Sequence, residues 1–411
     1  MIEVKKIKEL FLYSIFAVLI GLIVGFLDFI FGEVLLKITE FRDLFYWFLI
    51  PFLPIAGLFI VFLYHKFGKN SQKGMSLVFD LGNKATGRMP KRLIPLSILS
   101  TWLTHLFGGS AGREGVAVQI GATIGDTFST LFKIDGKILL ITGMAAGFGG
   151  LFQTPIAATF FALEVFIAGK LEYKASLSAL IGAYTASMFT HFLGLERFSH
   201  PIVTELNLDF LTLIKLGGIG ICFGLVGRIF AQSLSYFKRQ LPLKFENPYK
   251  RILIIGTFLA IALLVIHPDR YAGLGTNLIT MNFNGDFIHS YDWLLKILFT
   301  VLTLAAGFQG GEVTPLFAIG ATLGTVLASL LGLPFELVAA FGYVSVFGAA
   351  TNTFLAPLFI GAEIFGFEWI PYLLPILTLA YLVNGNHSIY SGQLIDTPHL
   401  KEQKFLSRSS R

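Results

Sequence analysis

Charge is what this sequence has least of. Of its 411 residues only 14% are charged while 55% are hydrophobic, against about 25% charged in a soluble domain. That leaves no room for a sizeable soluble domain. No basic face interleaves with a folded soluble module, so nucleic-acid binding is not expected. Cysteine is nearly missing: Cys222 stands alone in an apolar run, which rules out an internal disulfide. The eight histidines are scattered without ligand spacing, so no metal site and no cofactor are expected.

What is abundant is apolar length. Runs able to span a bilayer recur from end to end, beginning with residues 10–31 and 45–63, each close to the ~20 residues a span requires. The chain reads as an all-α polytopic membrane protein embedded in a lipid bilayer. The first run is longer than a signal-peptide core and has no small-residue cleavage site after it, so it is expected to be retained. The net charge of +6 fits cytoplasmic loops better than anionic partners.

A repeat organises the chain. Residues 119–125 read QIGATIG and residues 318–324 read AIGATLG, five of seven identical at an offset of 199. The same offset pairs Gly74 with Gly273, Gly112 with Gly311, and Gly143, Phe148, Gly149 and Thr154 with Gly342, Phe347, Gly348 and Thr353. It continues through Phe160, Glu164 and Phe166 to Phe359, Glu363 and Phe365. A constant register over so long a stretch argues for internal duplication.

Charge orients the copies. The stretch 66–92 carries Lys66, Lys69, Lys73, Lys84, Arg88, Lys91 and Arg92 against Asp80 alone, whereas its counterpart 265–291 has Arg270 as its only base, with Asp269 and Asp286. Cytoplasmic loops are the Lys- and Arg-rich ones. The copies are therefore read as inverted, an arrangement typical of secondary transporters. Lys238–Arg251 and the tail beyond Lys401 read as cytoplasmic, and the acidic stretch Glu196–Asp209 as the external link.

Several apolar runs stop short of a span. Residues 137–152 and 155–168 are cut at Pro155, and 315–331 begins at Pro315. Short helices that begin at glycine or proline place free N–H groups and positive dipole ends inside the protein, where they attract anions. Two glycine clusters, 108–115 and 310–311, each lead into such a helix and hold a carboxylate, Glu114 and Glu312. A carboxylate in a membrane sequence needs a reason.

Gly112-Arg113-Glu114-Gly115, then Ala145-Ala146-Gly147 through Gln153-Thr154-Pro155 to Leu163-Glu164, then Gly311-Glu312-Val313-Thr314-Pro315, and finally Ile389-Tyr390-Ser391 follow the order and spacing of the CLC chloride channel and transporter family. Within that family, Gly-Glu-Val-Thr-Pro and the Met after Gly74 resemble the fluoride/proton antiporter branch. The resemblance implies a CLC-type inverted-repeat helical bundle with many short, tilted, non-spanning helices, assembled as a homodimer with one ion path per subunit. It implies a single transmembrane domain over residues 1–395, with the first repeat at about 10–193 and the second at about 208–395. A short basic cytoplasmic tail, 396–411, follows.

By the same resemblance Glu114 is the gate and proton carrier. Met75, Gly112, Arg113, Gly115, Val116, Val313, Thr314 and Tyr390 form the anion-binding set. Met75 stands where chloride-type members have a hydroxyl donor, although Ser76 is adjacent. Glu312 is either a second proton-linked carboxylate or a helix-start charge favoured by the dipole. Glu164 and Glu363, matched across the copies, read as structural. Some proton-coupled exchangers carry a second glutamate where this chain has Val165, so a family-style inner proton glutamate is absent here. The function implied is a fluoride/proton antiporter that exports fluoride across the cytoplasmic membrane, with both termini cytoplasmic. The alternative is a chloride/proton exchanger or passive anion channel of the same family. An intramembrane protease built on Ser110 and His387 would need the His placed on the Ser, and the inverted repeat gives it no support.

Overall fold

The computed structural model describes residues 2–84, 87–204, 206, 209–267 and 270–396. The expected basic tail therefore lies, beyond Asp396, outside the described residues, as does Asp269.

Sixteen α-helices order the described chain. The first, α1 (Ile2–Leu49), bends at Phe45, where φ/ψ is −124°/25°. Two separate apolar runs were expected here, yet the helix continues through the charged residues between them. Lys37 and Glu33, one turn apart, pair at 3.8 Å, and Arg42 is buried with its guanidinium on Asp43 at 2.6 Å. These charges are locally paired, so they do not terminate the helix. Pro51 and Pro54 do: a 3-10 turn, Ile50–Phe52, separates α1 from α2 (Leu53–Leu63). The chain then runs through α3 (Met75–Lys84), α4 (Leu93–Leu106), α5 (Glu114–Phe132), α6 (Gly136–Phe152), α7 (Pro155–Glu164) and α8 (Ser176–Phe192). The remaining helices are α9 (Phe210–Lys244), α10 (Pro248–Ile266), α11 (Thr276–Asn284), α12 (Asp292–Ala306), α13 (Val313–Leu331), α14 (Phe335–Thr351), α15 (Leu355–Phe365) and α16 (Ile370–Asn384). One two-residue parallel pairing, β1 (Ile167–Ala168) with β2 (Leu394–Ile395), brings the C-terminal segment back beside α7.

The duplication is written into the backbone. Helices α5 and α6 become α13 and α14 when 199 is added to both of their ends. Punctuation repeats as well. Lys133 and Gly332 close α5 and α13 in the left-handed region, and Gln153 and Asn352 do the same for α6 and α14. The crossing of each pair is set by glycine. A Cβ on Gly121 would lie 1.9 Å from the Gly143 carbonyl oxygen, and one on Gly320 would lie 2.0 Å from that of Gly342. Only glycine lets two helix backbones approach this closely, the small-residue packing of membrane helices.

Five helical stretches among the described residues are long and apolar enough to cross a bilayer, while α4, α6, α7, α14 and α15 are shorter apolar helices. At 1.5 Å per residue, α7 extends only about 15 Å, half of a ~30 Å hydrocarbon core. Such helices must end inside the protein, and their ends must be satisfied there. Exposed large apolar side chains such as Phe11, Phe48, Phe192 and Val265 lie outside this core and suit a lipid-facing surface.

Candidate anion and proton site

The two glycine clusters meet. Gly112 N–H donates to Gly311 O at 2.6 Å and Gly311 N–H donates to Gly112 O at 2.7 Å, an isolated antiparallel bridge. The two residues are equivalents at the 199 offset. Equivalents that exchange both hydrogen bonds straddle the local two-fold axis relating their copies. Side chains are excluded here: a Cβ on Gly112 would lie 2.9 Å from Pro315 Cδ, and one on Gly311 would lie 2.9 Å from Gly115 N.

This bridge places the first turn of α5 against the first turn of α13. Glu114, fully buried, projects across. Its carboxylate accepts the Thr314 hydroxyl, with both oxygens 2.7 Å away, and the Thr314 N–H at 3.2 Å. The Arg113 N–H donates to it at 3.2 Å, and Arg113 Nε lies 3.7 Å from Oε1. A carboxylate thus occupies the positive N-terminal end of a helix from the other copy, where partial charges of about +0.5 gather. Any anion using those donors must replace it.

The other expected residues divide between this point and a cavity of about 560 Å³ beside it. Met75, Gly115, Glu312 and Tyr390 line the cavity. Met75 opens α3 directly after Gly74, whose φ of +49° is strained for any side chain bearing a Cβ. Tyr390 is buried against Phe79, with ring centroids 5.1 Å apart, and against Phe161 at 6.2 Å. Glu312, the residue before α13, accepts Lys238 Nζ at 3.1 Å. Val116 and Val313 are both buried. The Val116 N–H is already given to Arg113 O at 3.1 Å, so Val116 packs beside the site rather than offering a donor.

Glu164 and Glu363 are resolved as a reciprocal pair. Glu164 accepts the N–H groups of Phe354, Leu355 and Ala356 at the start of α15, the last at 2.7 Å. Glu363 accepts those of Ile156 and Ala157 at the start of α7, the latter at 2.9 Å. Val165 is fully buried and apolar. Ser110 is held by Thr300 Oγ1 and by Lys296 Nζ, each at 2.9 Å, whereas His387 bonds Gln232 at 3.0 Å; neither attends the other.

Several charged residues were not legible as part of this region. Lys296, fully buried, donates to Ser110 Oγ and to the carbonyls of Tyr271 and Gly273. It ties the first glycine cluster to the loop before α11. His105 is buried with its ring nitrogens 2.8 and 2.9 Å from the carbonyls of Thr101 and Ala111. Asp28 is fully buried, and neither of its carboxylate oxygens has a hydrogen-bond partner; Nε and Nη1 of Arg113, an expected site residue, also make no hydrogen bond, although Nε keeps its ion contact with Glu114. The nearest sequence signal for Asp28 was a lone acid inside the first apolar run.

The family profile described as voltage gated chloride channel matches residues 56–385. The chain belongs to the CLC family. It is 34% identical over 406 residues to the "Chloride/fluoride channel protein" of Pseudomonas syringae pv. tomato, covering 96% of this chain and 88% of that one. Among solved structures it is similar to a CLC-type fluoride/proton antiporter, with a TM-score of 0.93 and 49% identity, covering 94% of this chain and 99% of the other. A slow cyanobacterial Cl−/H+ antiporter shares the fold alone, with a TM-score of 0.79 at 20% identity, covering 97% of this chain and 99% of the other. As a CLC protein the chain is a multi-pass membrane protein of anion transport and not an enzyme, which disposes of the protease alternative.

Proposed function

We propose that this CLC protein exports fluoride in exchange for protons. The observation that carries this reading is the Glu114 carboxylate seated on the hydroxyl and N–H of Thr314. Ionised, Glu114 acts as a tethered anion that closes the path. Protonated, it gives up those donors to a fluoride ion and carries the proton the other way. One group then couples two opposed flows. Fluoride is small and strongly hydrated, so its water must be replaced by close donors such as backbone N–H groups and the Thr314 hydroxyl. Likeness at 49% identity to a fluoride/proton antiporter supports the choice of ion, and Met75 in place of a hydroxyl disfavours chloride.

The transported ions are fluoride and protons, with no cofactor. Met75, Gly112, Arg113, Gly115, Val313, Thr314 and Tyr390 form the anion path, Val116 supports it, and Glu312 is a second proton-linked carboxylate. The protein works as a homodimer in the cytoplasmic membrane. Its basic loops, both termini and the tail 396–411 face the cytoplasm, by the rule that Lys and Arg collect there. The transmembrane domain spans 1–395, with inverted repeats at about 10–193 and 208–395.

A second reading, a passive channel, is favoured by Val165, which puts an apolar side chain directly after Glu164, where some proton-coupled exchangers carry a second glutamate. Efflux from liposomes, followed with fluoride and chloride electrodes while external pH is recorded, separates the two. The antiporter moves fluoride at least about tenfold faster than chloride, a discrimination of roughly 1.4 kcal/mol, and takes up protons as it does so. Fluoride efflux without protons establishes the channel. Chloride efflux at equal speed overturns the assignment of the ion.

A further inference from the structure

The cavity beside Glu114 is lined by four cations, Lys73, Lys238, Arg239 and Arg251, and by one carboxylate, Glu312. Glu312 is largely buried, its side chain 11% exposed, while that of Lys238 is 45% exposed. The two are joined at 3.1 Å. A carboxylate this buried is costly as a bare charge. Lys238 on α9 supplies its partner, and the first turn of α13 favours the charge further. The other oxygen of Glu312 faces Gly115, where a Cβ would lie 3.9 Å from Oε2. Glu312 thus stands between Lys238 and the residue that follows Glu114.

An ion pair with one partner half exposed contributes little, so either a proton or a competing anion can open it. We propose that Lys238 is an anion-binding residue of the transport path, shared between fluoride and Glu312, which it holds as a tethered anion at the cavity mouth. This rests on the fluoride/proton reading above. When Glu312 takes a proton, the Lys238 ammonium is released and receives fluoride. When fluoride moves on to the Glu114–Thr314 point, the carboxylate gives up its proton and returns to Lys238. The mouth thereby repeats, with an ammonium, the exchange made at the centre with a hydroxyl. The other titratable groups around the pair are Arg239 on α9, Arg251 on α10, Lys73 ahead of α3, which is 3.8 Å from Asp80, Tyr390, and Glu114 beyond Gly115. The three cations hold a positive field whichever partner Lys238 has. The pair therefore sets which anion is held, not whether one is attracted.

Full-length protein in liposomes tests this, using Lys238→Gln and Lys238→Arg with fluoride efflux and proton uptake recorded at varied internal pH. In Lys238→Gln, the internal fluoride concentration for half-maximal efflux rises about fivefold, the change that roughly 1 kcal/mol produces. The dependence on internal pH flattens, while the dependence on external pH stays as in the wild type. Lys238→Arg restores both. Should the Gln variant not purify as a folded protein, Lys238→Met replaces it, since the stem packing is kept. Wild-type half-saturation and internal-pH dependence in the neutral variant overturn the proposal, as does an Arg variant that behaves like Gln. A wild-type protein that moves fluoride without protons instead overturns the antiport reading, and is seen before any variant is made.

Discussion

Glu164 and Glu363 each satisfy the first turn of a helix in the opposite copy: Glu164 holds α15, and Glu363 holds α7. The exchange is reciprocal because the copies face each other. Each helix that stops inside the protein leaves N–H groups without intrahelical partners. A carboxylate from the other copy meets that need, and the need explains why both glutamates sit at matching positions.

Removing either carboxylate therefore costs stability rather than coupling. Glu164→Ala leaves three N–H groups without an acceptor and is expected to lose about 3 kcal/mol. The check is thermal unfolding in detergent. Glu164→Gln keeps one acceptor oxygen and loses about 1–2 kcal/mol, with the number of protons per fluoride unchanged in liposomes. A changed ratio in the Gln variant would move Glu164 from scaffold to proton route.

Glu114→Gln keeps the shape of the gate and removes its proton. Proton movement driven by a fluoride gradient is expected to disappear. In the wild type, a lower external pH is expected to speed fluoride efflux, because protons are the exchanged ion. In the variant that dependence is flat. Continued stoichiometric proton uptake would remove Glu114 from the mechanism.

Thr314 gives its hydroxyl to the ionised gate and, on the proposed cycle, to fluoride. Thr314→Val deletes a charge-assisted hydrogen bond of roughly 1.5–3 kcal/mol. Apparent fluoride affinity is expected to fall about tenfold or more, measured as half-saturation of efflux. Thr314→Ser keeps the hydroxyl and stays near wild type. Equal losses in both variants would make the methyl group, not the donor, the feature that matters.

The glycine crossings tolerate no side chain. Gly121→Ala and Gly320→Ala each drive a methyl group into a backbone carbonyl about 2 Å away, and overpacking of this kind costs about 1–3 kcal/mol or more. Both variants are expected to unfold at lower temperature, by similar amounts because the sites are equivalents. Size-exclusion profiles in detergent check that the loss is one of packing.

The sequence alone reached far into this protein. Composition fixed it as a membrane protein because a chain with so few charges has no other solvent to fold in. The 199-residue offset was legible because duplication preserves register, and the structure repeats α5 and α6 as α13 and α14 to the residue. Glu114 and Glu312 could be singled out because a carboxylate at a glycine-led helix start is expensive in a membrane. Tertiary structure alone decided who meets whom. That Gly112 bonds its own equivalent, that Glu114 lies on Thr314, and that Lys238 reaches Glu312 across 74 residues depends on how two copies dock, which no local pattern encodes. The continuity of α1 between its two apolar runs is a separate, local matter. Glu33 pairs with Lys37 along the helix and Arg42 is buried on Asp43, and a paired charge does not end it.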